Sequence, residues 1–212
     1  MVITYEGIEF VKITHGDTTI ACNPISKESK FKGSNFGADV ALITINHPDM
    51  NGVESVTRNN KEPFVVSGPG EYEVDGFFIR GFSSKSTYGG TERINTIYTF
   101  ELDSIRVGFL GALGDGELSG EIKEMMGSID VLFVPIGGEG VIDASEAYKL
   151  AVKREASIII PIHFGQVGDK GALKQFLEEG SSEKTKPVDK LTIKRRDVEG
   201  KKGEIVVLKS QN

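Results

Sequence analysis

For its first 110 residues the chain consists almost entirely of short apolar runs cut apart by turn residues, which restricts it to a sheet-based fold. VITYEG, IEFVKITH and DTTIACNP read as a meander, with HGD at 15–17 as a hairpin turn. DVALITI, residues 39–45, is continuously apolar, the pattern of a strand buried on both faces. PFVVSG, EYEVDG, FFIRGFSS, NTIYTFEL and IRVGFLG follow as further strands separated by Gly or Asp turns. The 26 glycines suit a fold with this many tight turns.

After residue 115 strands alternate with helices. GELSGEIKEMMGSI has helical spacing of its apolar residues, and DVLFVPIGG is a buried strand ending in glycines. DASEAYKLAVKREA predicts a helix capped by Asp143 or Ser145, with Ala147, Leu150 and Ala151 on one face. SIIIPIHFG is another buried strand, and KGALKQFLEEG a helix closed by Gly180. SSEKTKPVDK reads as a loop, and LTIKRRDVEGKKGEIVVLKS as a final hairpin. A single domain over residues 1–212 accommodates all of this, with sheets in layers and helices outside.

Charge and cysteine content remove several functions. The net charge of −6 argues against phosphate neutralisation by a basic surface, so no nucleic-acid partner is expected. Cys22 has no second cysteine to pair with, which fits a reducing cytoplasm. It reads as a small buried apolar residue, since nothing nearby would activate its thiol. MVITYEGIEFVKI lacks a basic segment followed by an apolar run, so no secretory leader is expected. No apolar stretch reaches the ~18 residues of a membrane span, and no membrane partner is expected.

The polar chemistry lies at three strand ends: His47 and Asp49 after 39–45, Asp115 in GALGD after 105–110, and His163 after 157–162. Loops at strand ends are where scaffolds place functional groups, and two imidazoles with a carboxylate suffice for a zinc site with an open position. On spacing alone the plainer reading is preferred: a hydrogen-bonded His after a turn, and an Asp suited to a turn or cap. His15 belongs to a hairpin turn and should be solvated. GPGEYEVDG lacks the Lys-Ser/Thr pair of a phosphate loop and reads as a turn between strands. PIGGEG, 135–140, offers backbone N–H groups to an anion, with a plain strand-to-helix turn as the preferred alternative.

Taken together, ITYEGIEFVKI, DTTIACNP, ADVALITINHPDMN, GPGEYEV, NTIYTFELDSIRVGFLGALG, DVLFVPIGGEGVIDASEA and IIIPIHF resemble the metallo-β-lactamase fold superfamily. The likeness is greatest to its branch of zinc-dependent hydrolases that includes ascorbate-phosphate-lactonase-like proteins. It implies an α+β fold, a four-layer αββα sandwich, with metals bound in a groove at one edge of two sheets. Carried over position by position, the family's H-x-H-x-D-H motif falls on residues 45–50. His47 and Asp49 keep ligand types; Ile45 and Met50 stand where the motif has His. The next His belongs in or near GFSSKSTYGG, which has none. The bridging Asp falls on Ala112, the final His on His163, and a supporting Asp on Asn23.

By family roles His47 belongs to one metal and Asp49 and His163 to the other, so neither keeps the three protein ligands usual in a catalytic zinc site. Ala112 offers a methyl group where a carboxylate would balance two cations about 3.5–4 Å apart. Met50 offers only a soft thioether. The resemblance therefore implies a protein that has lost the dinuclear site: no cofactor, or zinc at low occupancy, and a role in binding a small molecule or protein or in assembly. The rival is a hydrolase of lactone, ester or phosphoester substrates with one metal on His47, Asp49 and His163, aided by Asp115 or Glu139. A third reading is a structural subunit whose groove is filled by Ile45, Met50 and their neighbours. Homo-oligomers are compatible with each.

Overall fold

In the computed structural model, which describes residues 1–211, the alternation of the first half becomes two sheets packed face to face. β1 (Val2–Gly7), β2 (Phe10–His15) and β3 (Thr18–Cys22) form the expected antiparallel meander, and β4 (Val40–Leu42) and β5 (Phe64–Val66) extend it in parallel. β6 (Gly70–Val74), β7 (Phe77–Ser86), β8 (Arg93–Leu102) and β9 (Ile105–Phe109) make the antiparallel half of the second sheet. β10 (Val131–Pro135) and β11 (Ile158–Ile162) continue it in parallel, joined through α1 (Gly120–Met126) and α2 (Ala144–Lys153). This is the helical crossover that parallel neighbours require. Of the two candidate caps for α2, Asp143 serves: its carboxylate accepts the Glu146 N–H at 2.8 Å.

The C-terminal segment departs from the expected hairpin. After α3 (Ala172–Glu179), β12 (Leu191–Thr192) pairs with β1 in the first sheet, and β13 (Glu204–Ile205) pairs with β11 in the second. The short α4 (Arg195–Val198) carries the chain between them. Arg195 draws it across by donating to Asp130 at 2.8 Å and to the Ser104 carbonyl at 2.9 Å. Each half thus finds an open sheet edge, and the two do not pair with each other.

Alternation along the strands divides the apolar residues among three layers. Ile13, Ile20, Leu42, Tyr98, Phe109 and Phe133 fill the space between the sheets. On the outer face of the second sheet Leu132, Val134 and Ile159 meet Ala147, Leu150 and Ala151 of α2 and Phe176 of α3. The outer face of the first sheet presents Phe10, Ala21 and Ala41 to Ile25, Ala38, Met50 and Val56. Its cover is built of loops and the 3-10 turn Val53–Ser55. Two loop segments in this cover are bonded backbone to backbone, Ser26 N–H to the Pro48 carbonyl (2.8 Å) and Gly52 N–H to the Pro24 carbonyl (2.7 Å). At Gly52 a Cβ would lie 2.3 Å from the Ile25 carbonyl group, so the contact requires glycine.

Among the described residues no helix is long and apolar enough to cross a membrane. The strand expected over 39–45 stops at Leu42, because the Thr44 N–H is taken by the Asn23 side chain at 2.8 Å. That capture begins the polar site.

Candidate functional site

Strand ends and the β1–β2 turn converge at one edge of the two sheets. β11 delivers His163, β3 runs into Asn23, and the turn supplies Ile8 and Glu9. His163 Nδ1 lies 2.7 Å from Glu9 Oε1, and neither side chain is exposed (0% and 0%). The Asn23 carbonyl oxygen accepts from the Thr44 backbone, which turns its amide nitrogen toward Glu9 Oε2 (2.8 Å) and Thr44 Oγ1 (2.9 Å). With Glu9 accepting on both oxygens, Nδ1 is the protonated ring nitrogen. The opposite nitrogen, Nε2, is buried and has no hydrogen-bond partner among the described residues.

The backbone here is strained. Ile8, Asn23 and His163 all have positive φ (56°, 47° and 60°), which is a marked outlier for a β-branched residue such as Ile8. Two hydrogen bonds hold Ile8 in place, since its carbonyl accepts from the Tyr5 hydroxyl (2.7 Å) and from the His163 N–H. Strain of this kind persists only where surrounding contacts over-determine it. Burial pushes the Tyr5 phenol far above its usual range, so it remains a donor.

His47, Asp49 and Tyr88 form the other half. His47 Nδ1 accepts the Asp49 backbone N–H at 3.2 Å and lies 3.5 Å from its carboxylate. The Tyr88 hydroxyl donates to Asp49 Oδ2 at 2.7 Å, and the Ser29 hydroxyl donates to Oδ1, so both carboxylate oxygens are engaged. The Tyr88 ring packs against both imidazoles, its centroid 5.0 Å from that of His47 (73° between planes) and 5.0 Å from that of His163 (89°). Burial holds the His47 imidazole below its ordinary range; Asp49 pulls the other way and Arg93 adds to the lowering. Burial, and then the bond to Asp49, push the Tyr88 phenol well up.

A cavity of about 620 Å³ opens beside this half, lined by Ser29, Lys30, His47, Asp49, Tyr88 and Glu139 among others. His47 is 21% exposed there, whereas Asp49 is 7% exposed. Ile45, Met50 and Ala112 are buried together in one apolar cluster with Val141, and Tyr88 packs against it. Asp115 is not part of the site: it is exposed and accepts the Glu117 N–H in its own turn. Cys22 lies in the core with its thiol pushed up by burial, and His15 is half-exposed, 3.9 Å from Asp103. Glu9, Ser29 and Tyr88 are the residues that sequence reasoning missed. Glu9 had left a signal, an acid between the apolar Ile8 and Phe10 in a short turn.

As arranged, the donors do not fit a metal ion. Among the described residues no three of His, Cys, Asp and Glu gather closely enough to hold one. The Tyr88 ring packs against both imidazoles, and its hydroxyl is bonded to Asp49.

Comparison with known proteins agrees with this architecture. A sequence model described as a beta-lactamase superfamily domain matches residues 2–163. The chain is similar to a proposed zn-dependent hydrolase of the metallo-beta-lactamase superfamily from Thermotoga maritima, at 28% identity and a TM-score of 0.77, over 98% of this chain and 99% of that one. An isothiocyanate hydrolase from Delia radicum gut bacteria shares the fold alone, at 11% identity and a TM-score of 0.67, over 100% and 98% of the two chains. A UPF0173 protein of Pyrococcus abyssi is 35% identical over 67 residues, which span 32% of this chain and 31% of that relative.

Proposed function

Because the chain belongs to the beta-lactamase superfamily, we propose that it is a member that has given up the two-metal centre and serves as a non-catalytic protein. Its role is to bind a small molecule or protein, or to take part in assembly, and the cavity beside His47 is the binding surface. The observation that carries this reading is the packing of Ile45, Met50 and Ala112. Three positions that the family resemblance gives to metal ligands are buried side by side as apolar core. Without two cations nothing at the site lowers the pKa of a water from about 15.7 toward about 7, the step on which hydrolysis by such centres depends. Elemental analysis of protein purified without chelator tests the reading: no stoichiometric metal is expected, and two equivalents of zinc, manganese or iron per chain would sink it.

One observation favours a second reading, a hydrolase with one metal on His47, Asp49 and His163. Glu9 holds His163 Nδ1 as a carboxylate holds a metal-binding imidazole, leaving Nε2 unpartnered. A bound metal would supply an activated water to a lactone, ester or phosphoester. On this reading His163→Ala removes both bound metal and hydrolysis together, and activity that survives the change excludes it.

A further inference from the structure

We propose that Tyr88 is a built-in substitute for the metal, a side chain that packs against both retained imidazoles and donates to the retained carboxylate in place of a cation. The inference rests on the reading that the metal centre has been given up. It adds the residue that replaced the centre and makes the site's loss reversible.

The geometry carries it in three ways. The ring packs against both retained imidazoles at once, its centroid 5.0 Å from each and steeply inclined to both. The hydroxyl supplies Asp49 with a donor at 2.7 Å, and Ser29 supplies the other oxygen, so the carboxylate needs no cation. The His163 Nε2 is left without a hydrogen-bond partner, as a ligand position would be once its ion is gone.

The loop carrying Tyr88 is seated without slack. Its N–H donates to Ser86 Oγ at 3.2 Å, and its carbonyl accepts from Arg93 at 3.0 Å. A Cβ on Gly140 would stand 2.7 Å from the Tyr88 backbone, and one on Gly89 would stand 2.9 Å from His47 Nε2. Both glycines also have positive φ, so a side chain at Gly140 would displace the Tyr88 backbone and one at Gly89 would strike His47.

The charge around His163 has been rebalanced in the same sense. Asn23 donates its amide to Glu9 at 2.8 Å, where a carboxylate at that position would set two negative groups together. Both Glu9 oxygens are thereby hydrogen-bonded, one to an imidazole and one to an amide.

The test uses Co²⁺ as the probe, added to chelator-treated wild-type protein and to the Tyr88→Ala variant, with visible absorption as the readout. Wild type should stay silent. The variant should gain the band of a single nitrogen-ligated Co²⁺, bound about tenfold or more tightly than by wild type, and should lose it on adding His47→Gln, a change the fold tolerates. If Tyr88→Ala folds only with Co²⁺ present, that recovery supports the proposal equally. Tyr88→His, which keeps a ring in the same seat, provides a second arm and should also bind the ion. A wild type that acquires the same band, a folded Tyr88→Ala that stays silent, or failure of both variants to fold even with Co²⁺ overturns the role of Tyr88. Stoichiometric metal in wild type as purified defeats instead the reading on which the proposal rests.

Discussion

The two halves of the site hold the same kinds of residue and treat them in opposite ways. Around His163 an imidazole, a carboxylate and an amide are sealed from solvent and bonded to each other, on backbone forced to positive φ. Around His47 an imidazole and a carboxylate face a cavity and lean on a tyrosine and a serine. The difference shows what becomes of ligand-type residues under different burial. A buried charge must keep its partner, so the inner half became part of the framework. A group near water can be satisfied by whatever side chain approaches, so the outer half remained free to change.

If that contrast is sound, disturbing the inner half costs most. Glu9→Ala or His163→Ala leaves one buried polar group without its partner and should destabilise the fold by about 3–5 kcal/mol. Urea unfolding followed by circular dichroism measures this, and a loss no larger than that of outer-half variants would erase the distinction. Tyr88→Phe removes one hydrogen bond to a carboxylate that keeps its Ser29 partner, and should cost about 1–2 kcal/mol in the same assay.

His47→Gln should have the smallest effect at neutral pH, within about 0.5 kcal/mol, and a larger one on pH dependence. The folded imidazole sits below its ordinary value, so as pH falls through about 6.5 the unfolded chain takes up its proton first and stability declines. Urea midpoints measured from neutral pH down to pH ~5 should fall less steeply in the variant than in wild type. Parallel profiles would show that His47 is not the titrating group.

Much of this was legible in the chain before any coordinates. Short apolar runs between turn residues placed the strands, and the continuously apolar Val40, Ala41 and Leu42 face alternate sides of a sheet covered on both. The site was half legible. His47, Asp49 and His163 mark strand ends, and Ile45, Met50 and Ala112 mark what had been exchanged. Glu9 was not readable as a partner, because it meets His163 across 154 residues and only the tertiary fold joins them. Tyr88 sits in a loop whose course depends on glycines at 89 and 140, and no periodicity records such a course. The final segment misled because two short apolar stretches near each other look like a hairpin, whichever edges they join.

The loop cover over the first sheet bears on motion. Its two strips are fastened to each other at Ser26–Pro48 and Gly52–Pro24, and the His47–Asp49 turn lies on one of them. Segments cross-linked in this way open together, at a free energy below that of global unfolding, while the ladders beneath stay closed. The cover is therefore held together as one unit. Amide exchange at Ser26 and Gly52 should accordingly proceed at similar protection.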